Sequence, residues 1–307
     1  MQTAYITHPD CLKHDMGSYH PECPQRLVAI QNQLQAMGLL SQLQHYDAPL
    51  ATTEQLARVH TPDYIESIRQ AAPAAGLVML DADTAMNPFT WNAALRAAGA
   101  AVLATDMVLN EKVNNAFCAV RPPGHHAESD RAMGFCLFNN VAVGVAHAIK
   151  QYHLQQIAIL DFDVHHGNGS EEIFRDNPHV LLCSTFQHPF YPYCGADSAS
   201  ERMINVPLPR GADGKVFRKA VTDIWLPALD QFKPEMIFVS AGFDAHRDDE
   251  MSQLQLIDED YVWITQQIKA IANKYAHGRI VSVLEGGYDL NALGRCVAAH
   301  IRMLNSD

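Results

Sequence analysis

Short apolar runs recur along the chain, each closed by polar or turn-forming residues. Ala116–Val120, Ile157–Leu160, Val180–Cys183, Met236–Ser240 and Ile280–Leu284 are four or five residues long and do not alternate with polar positions. Runs of that kind predict strands buried on both faces. Near residues 138–151, 215–232, 258–276 and 289–304 the apolar positions take up helical spacing instead. Upstream, RLVAIQNQLQAMG puts Leu27, Ile30, Leu34 and Met37 on one face and stops at Gly38, a helix with a C-terminal glycine. WNAALRAAGAAVLATDMVL predicts a helix of small residues that can approach a sheet closely. Strands alternating with helices predict one α/β domain over residues 1–307, a mostly parallel sheet covered by helices on both faces.

The loops after the strands carry the chemistry. RPPGHHAE follows Val120, DFDVHHGNG follows Leu160, STFQHPFYP follows Cys183, AGFDAHRDDE follows Ser240 and EGGYDL follows Leu284. Parallel strands share a direction, so these loops converge on one end of the sheet, where open α/β sheets hold ligands. Burying aspartates and histidines there is costly unless they pair with or coordinate something. Asp163 and His165 are two apart, a spacing that puts both on one face of an extended segment. With Asp244 they form a carboxylate–imidazole–carboxylate set that suits Zn²⁺ or another divalent metal and leaves positions free for water and substrate. An isolated DxH pair is a weak signal; its meaning comes from the loops around it.

His125 and His126 sit behind Pro122, Pro123 and Gly124, a stiff approach to a paired imidazole suited to general base and acid work. Asp161 and Asn168 are candidate partners for the two rings. Tyr288, after two glycines, can donate to a developing oxyanion. Phe135 and Tyr191 are candidate aromatic walls. His147 and His153 read as structural, and the acidic run at 248–250 as a solvated loop.

Lys and Arg number 22 against 34 Asp and Glu, a formal net charge of −12. That balance argues against a nucleic-acid groove or an anionic membrane surface. Seven scattered cysteines without a CxxC read as reduced thiols of a cytosolic protein. The first residues lack a basic segment followed by an apolar one, so no signal peptide and a cytoplasmic location are expected. The apolar stretch at 93–109 is interrupted by Arg96 and Asp106 and falls short of a membrane span.

The motifs HPECPQRL (20–27), VHTPDYI (59–65), RPPGHHAE (121–128), GFCLFNNVAVG (134–144), LDFDVHHGNG (160–169), SAGFDAHRDD (240–249) and EGGYDL (285–290) resemble, in order, those of the zinc-dependent histone deacetylase superfamily. The likeness is to its class II and bacterial amidohydrolase branch, on the arginase-like fold. It implies an eight-stranded parallel sheet and a narrow tunnel leading to zinc. It also implies hydrolysis of an N-acetyl or other N-acyl amide of lysine or a small amine by a metal-activated water. By motif, Asp163, His165 and Asp244 would bind Zn²⁺. His126 would be general base and acid, His125 its electrostatic support, Asp161 the partner of His125, and Tyr288 the group polarising the carbonyl. Gly134, Phe135 and Tyr191 would line the tunnel, with Arg26 near its inner end and Asp83 at its rim. A potassium ion would lie at Asp161, Asp163, His165, Ser184 and Thr185.

Departures from the family pattern concern specificity. Asn168 stands where class I enzymes have aspartate, and Tyr191 where phenylalanine is commoner. DDE replaces DDP. Polyamine-specific members place a glutamate at the tunnel's gatekeeper position; an ungapped alignment puts Met251 there, and a shift of one residue puts Glu250 there. The alternative activities are thus an acetylpolyamine amidohydrolase and, less favoured, a catalytically silent binder of acylated amines. A two-metal ureohydrolase is disfavoured because Gly167 stands where its DxHxD pattern needs a carboxylate.

Overall fold

The computed structural model describes residues 2–306. The chain opens with β1 (Thr3–Thr7), α1 (Gln25–Ala36), β2 (Gln44–Asp47), α2 (Thr53–Leu56) and α3 (Pro62–Ala71). A two-stranded hairpin, β3 (Val78–Met79) and β4 (Ala85–Met86), precedes α4 (Thr90–Leu109), β5 (Asn115–Cys118), α5 (Asn140–Tyr152) and β6 (Ile157–Asp161). Next come α6 (Asn168–Phe174), β7 (Val180–Gln187), β8 (Met203–Leu208), α7 (Gly214–Ala220) and α8 (Leu226–Phe232), the last two joined through a π-helical turn at Val221–Trp225. The chain closes with β9 (Met236–Ala241), α9 (Asp258–Tyr275), β10 (Ile280–Leu284) and α10 (Leu290–Leu304).

The main sheet has eight strands in the order β2-β1-β5-β10-β9-β6-β7-β8, and every pairing in it is parallel. All five strands predicted from the sequence are present, and they are contiguous: β5, β10, β9, β6 and β7. Each is buried along its whole length. That burial is why they read as unbroken apolar runs. The three strands that the pattern did not predict flank them. β2 alternates half-buried and exposed residues, and β8 is broken by exposed Pro207. Neither presents a continuous apolar run, as expected at an edge.

Helices pack in two groups, α4 on α5, and α1 on α10 with α10 on α9. Gly38, two residues beyond α1, has φ +67° and closes that helix as predicted. By length and composition α4 is apolar enough to cross a membrane, but two thirds of that stretch is buried inside the protein against α5 and the sheet. His147 reads correctly as structural: its Nε2 bonds Asp106 at 2.7 Å and its Nδ1 meets Arg58 at 2.7 Å.

Candidate active site

The C-terminal ends of the five central strands converge. β6 ends at Asp161, whose backbone pairs with Ser240 of β9 on one side and Ser184 of β7 on the other. Just beyond these ends the chain turns, and the polar side chains of each loop meet below the sheet edge. Asp163, His165 and Asp244 are all buried, and one ligand atom from each lies within 4.8 Å of the others. Backbone donors fix them in place. Gly286 N–H donates to Asp163 Oδ2 at 2.8 Å, and Val164 N–H to Asp244 Oδ1 at 3.0 Å. Only glycine fits at 286, because a Cβ there would lie 2.0 Å from Asp244 Oδ2 and 2.6 Å from Asp163 Oδ2.

The electrostatics of this group favour positive charge. Burial favours neutral acids, yet the His125 charge and then His165 hold Asp163 well below the usual carboxylate range. Asp244 goes the other way: burial and the Asp163 charge push its pKa up to about 6. His165 Nδ1 lies 3.1 Å from Asp163 Oδ1 and 3.2 Å from Asp244 Oδ2, and these carboxylates outweigh its burial and raise its pKa to about 9. Two buried carboxylates are therefore competing for positive charge. Asp244 Oδ2 accepts no hydrogen bond although it is buried. An orphaned carboxylate oxygen facing an imidazole nitrogen and a second carboxylate is the donor set of a divalent metal, so the residues fit Zn²⁺.

Above this group lies a cavity of about 280 Å³ lined by Asp83, His126, Gly134, Phe135, His165, Phe190, Tyr191, Met251 and Tyr288. Gly134, Phe135, Tyr191, Asp83 and Met251 therefore all lie on one passage. Glu250, the alternative to Met251, is exposed and outside the lining. Asp83 accepts from Gly134 N–H at 3.1 Å. Phe190, which the sequence reading did not single out, stacks on His165 with ring centroids 5.6 Å apart. Nothing in the HPFYP segment distinguishes Phe190 from its neighbour Tyr191.

The two histidines differ in charge. His125 Nδ1 bonds Asp161 Oδ2 at 2.9 Å. Burial disfavours the imidazolium, but Asp161, Asp163 and Glu285 outweigh it and hold the His125 pKa well above the usual value. His126 is pushed well below it, by burial and then by His125 and His165. The tautomer of His126 follows from its neighbours. Asn168 Nδ2 donates to Glu128 Oε1 at 2.7 Å, which turns Asn168 Oδ1 toward His126 Nδ1 at 2.8 Å. Nδ1 must then carry the proton, leaving Nε2 as a free base.

Tyr288 is fixed from behind by Arg26, which is fully buried with its guanidinium 4.9 Å from the ring centroid. Arg26 donates to the carbonyls of Gly287 and Glu285 and pairs with Glu22 at 3.1 Å. Burial raises the Tyr288 pKa well above its ordinary value even with Arg26 opposing, so the phenol stays protonated.

Two residues gain a place that the sequence reading did not give them. Glu285 is buried and accepts from Gly124 N–H at 2.7 Å and His125 N–H at 3.1 Å, with its pKa raised to about 7 chiefly by burial. Its signal was present: an acid at the end of the IVSVL strand, which is apolar but for Ser282. Asp249 corrects the reading of 248–250 as a solvated loop. It is 4% exposed and accepts three backbone N–H groups. Nothing in the sequence distinguishes it from its neighbour Asp248.

Among the described residues one other group, His246, Asp258 and Cys296, is close enough to share an ion. Arg295 Nε already pairs with Asp258 at 2.9 Å. His246 Nδ1 accepts from Asp248 N–H at 3.1 Å, so its Nε2 carries the proton shared with Asp258. No imidazole lone pair is left for a metal. A larger cavity of about 590 Å³ lies beside α6, walled by Arg131, Arg175, Glu128 and Glu171. Arg131 pairs with Glu128, and Glu171 with Arg175 and His166.

Residues 20–304 match the model of the histone deacetylase domain. The chain is 36% identical over 301 residues to a probable deacetylase of Archaeoglobus fulgidus, covering 94% of this chain and 82% of that protein. It is 37% identical over 328 residues to the mouse protein named polyamine deacetylase HDAC10, covering all of this chain but 49% of that longer one. Its fold superposes on the crystal structure of the HDA15 HD domain with a TM-score of 0.93 at 32% identity, over 99% of this chain and 88% of that one. With the parallel sheet, the converging loops and these similarities in agreement, the chain belongs to the histone deacetylase family and is a hydrolase of the deacetylase type.

Proposed function

We propose that this protein is a Zn²⁺-dependent deacetylase that removes an acetyl or other acyl group from the amine of a lysine side chain or a small amine. The observation that carries this reading is the carboxylate–imidazole–carboxylate set, with the Asp244 Oδ2 atom orphaned, beside a largely aromatic cavity. Asp163, His165 and Asp244 would hold the metal, which when bound would polarise the amide carbonyl and make its water acidic enough to attack. His126 takes a proton from the attacking water at Nε2 and returns it to the departing amine. His125, kept positive by Asp161, supports the negative charge that develops beside it. Tyr288 keeps its proton and donates it in a hydrogen bond to the carbonyl oxygen. Gly134, Phe135 and Tyr191 hold the acylated arm in line. We further propose a structural potassium ion at Asp161, Asp163, His165, Ser184 and Thr185. The opposition of Asp161 to Ser184 across β6 and β7 supports that placement. The unpaired cysteines support a cytoplasmic location.

An acetylpolyamine substrate is the second reading, favoured by the likeness to a polyamine deacetylase and by Asp83 beside the passage. Against it, the residue on the passage is Met251, and a thioether does not attract a cationic nitrogen as a carboxylate would. A comparison of kcat/KM on an acetyllysine peptide and an acetylated polyamine separates the two. The native enzyme is expected to hydrolyse the acetyllysine peptide at least as well, and Met251→Glu to move the ratio toward the polyamine by about tenfold. A native enzyme that strongly prefers the polyamine, unaltered by Met251→Glu, refutes the choice.

A further inference from the structure

Asp249 lies outside the passage, yet its carboxylate ties two of the residues that line it. Asp249 Oδ2 accepts from Tyr288 N–H at 2.6 Å and from Asp289 N–H at 3.0 Å. Its Oδ1 accepts from Met251 N–H at 2.9 Å. The peptide before Tyr288 belongs to Gly287, at φ +120°, a residue that gives the backbone little stiffness of its own. On the other side Arg26 Nε holds the Gly287 carbonyl at 2.6 Å. The main chain of Tyr288 is therefore gripped between a buried cation and a buried carboxylate. The phenol oxygen sits at the far end of the ring, so a small tilt of the backbone becomes a large displacement of the hydroxyl.

We propose that Asp249 is a positioning residue: it sets the Tyr288 hydroxyl at the reacting carbonyl and locks it to the Met251 wall as one unit. The inference rests on the reading of Tyr288 as the carbonyl-polarising group. Misplacing a reacting group by about 1 Å can cost on the order of a hundredfold in rate. A double-mutant cycle tests it, with single-turnover rates on an acetyllysine peptide for the native enzyme, Asp249→Ala, Tyr288→Phe and the double variant. Asp249→Ala is expected to lower the rate by about tenfold or more in the native background, and by less than about threefold once the hydroxyl is gone. Should Asp249→Ala not fold, Asp249→Asn carries the same cycle; its single carboxamide oxygen can serve only one of the two sets of N–H groups. An equal penalty in both backgrounds overturns the inference and leaves the role of Tyr288 standing. Near-normal turnover by Tyr288→Phe overturns both.

Discussion

Beneath the passage, Glu22 is a fully buried carboxylate that serves three cationic or imidazole partners. It pairs with Arg121 through both oxygens, with Arg26 at 3.1 Å, and lies 3.3 Å from His14 Nε2. Burial alone would raise its pKa, but Arg121, His14 and Arg26 outweigh it and hold it well below the ordinary value of 4.5. A carboxylate depressed in the folded state contributes stability above its unfolded pKa and loses it as pH falls through the folded value. Glu22→Gln strands two fully buried guanidinium groups, and breaking such a pair costs about 3–5 kcal/mol. Urea unfolding at pH 7 is expected to show that gap, and the gap should narrow below about pH 4.5. A loss under about 1 kcal/mol at pH 7 would contradict this account. The same scale separates what the sequence displays from what it hides. The strand-end motif exposed Asp163, His165, Asp244, His125, His126 and Tyr288, because acids, imidazoles and glycines at the end of an apolar run have few structural explanations. Asp249 acts through the backbone of Tyr288 and Asp289, and Glu22 through Arg121, all far along the chain. No local pattern encodes such partners.

Elements were legible where burial coincided with an unbroken apolar run. The five central strands announce themselves as apolar runs because both faces are covered, and their contiguity explains why the active-site loops could be collected before any topology was known. β1, β2 and β8 escaped notice. The first carries two threonines and a tyrosine among its five residues, and the other two are partly open to solvent. Helix α4, expected to approach a sheet closely, lies against β1, β5 and β10, and its small residues also admit a neighbouring loop. Ala51 N–H donates to the carbonyl of Leu95 at 2.9 Å, stitching the Pro49–Ala51 segment onto the helix one turn before Gly99. A Cβ at Gly99 would lie 2.0 Å from the Pro49 carbonyl oxygen, a backbone atom that cannot rotate away. Gly99→Ala should therefore destabilise the fold by about 1–3 kcal/mol, although alanine is the better helix former. Thermal unfolding checks this; a melting temperature equal to or above the native one would show that the segment yields freely.

At the scale of the whole molecule, one parallel sheet delivers five loops to one end, where their side chains form a group that could hold a metal ion. Two carboxylates and an imidazole crowd there out of water, the neighbouring His126 is held neutral with its free nitrogen available, and a cavity lined largely by aromatic rings adjoins them. The central claim is that a single divalent metal held by Asp163, His165 and Asp244 makes this chain a deacetylase. Its most direct test is the rate of acetyllysine peptide hydrolysis by the purified protein, before chelation, after removal of metal, and after addition of one equivalent of Zn²⁺. The account predicts loss of activity by at least about a hundredfold on chelation and its recovery with zinc, with no recovery in Asp244→Ala. Hydrolysis that continues unchanged in the chelated protein, or that zinc restores equally in Asp244→Ala, would contradict it.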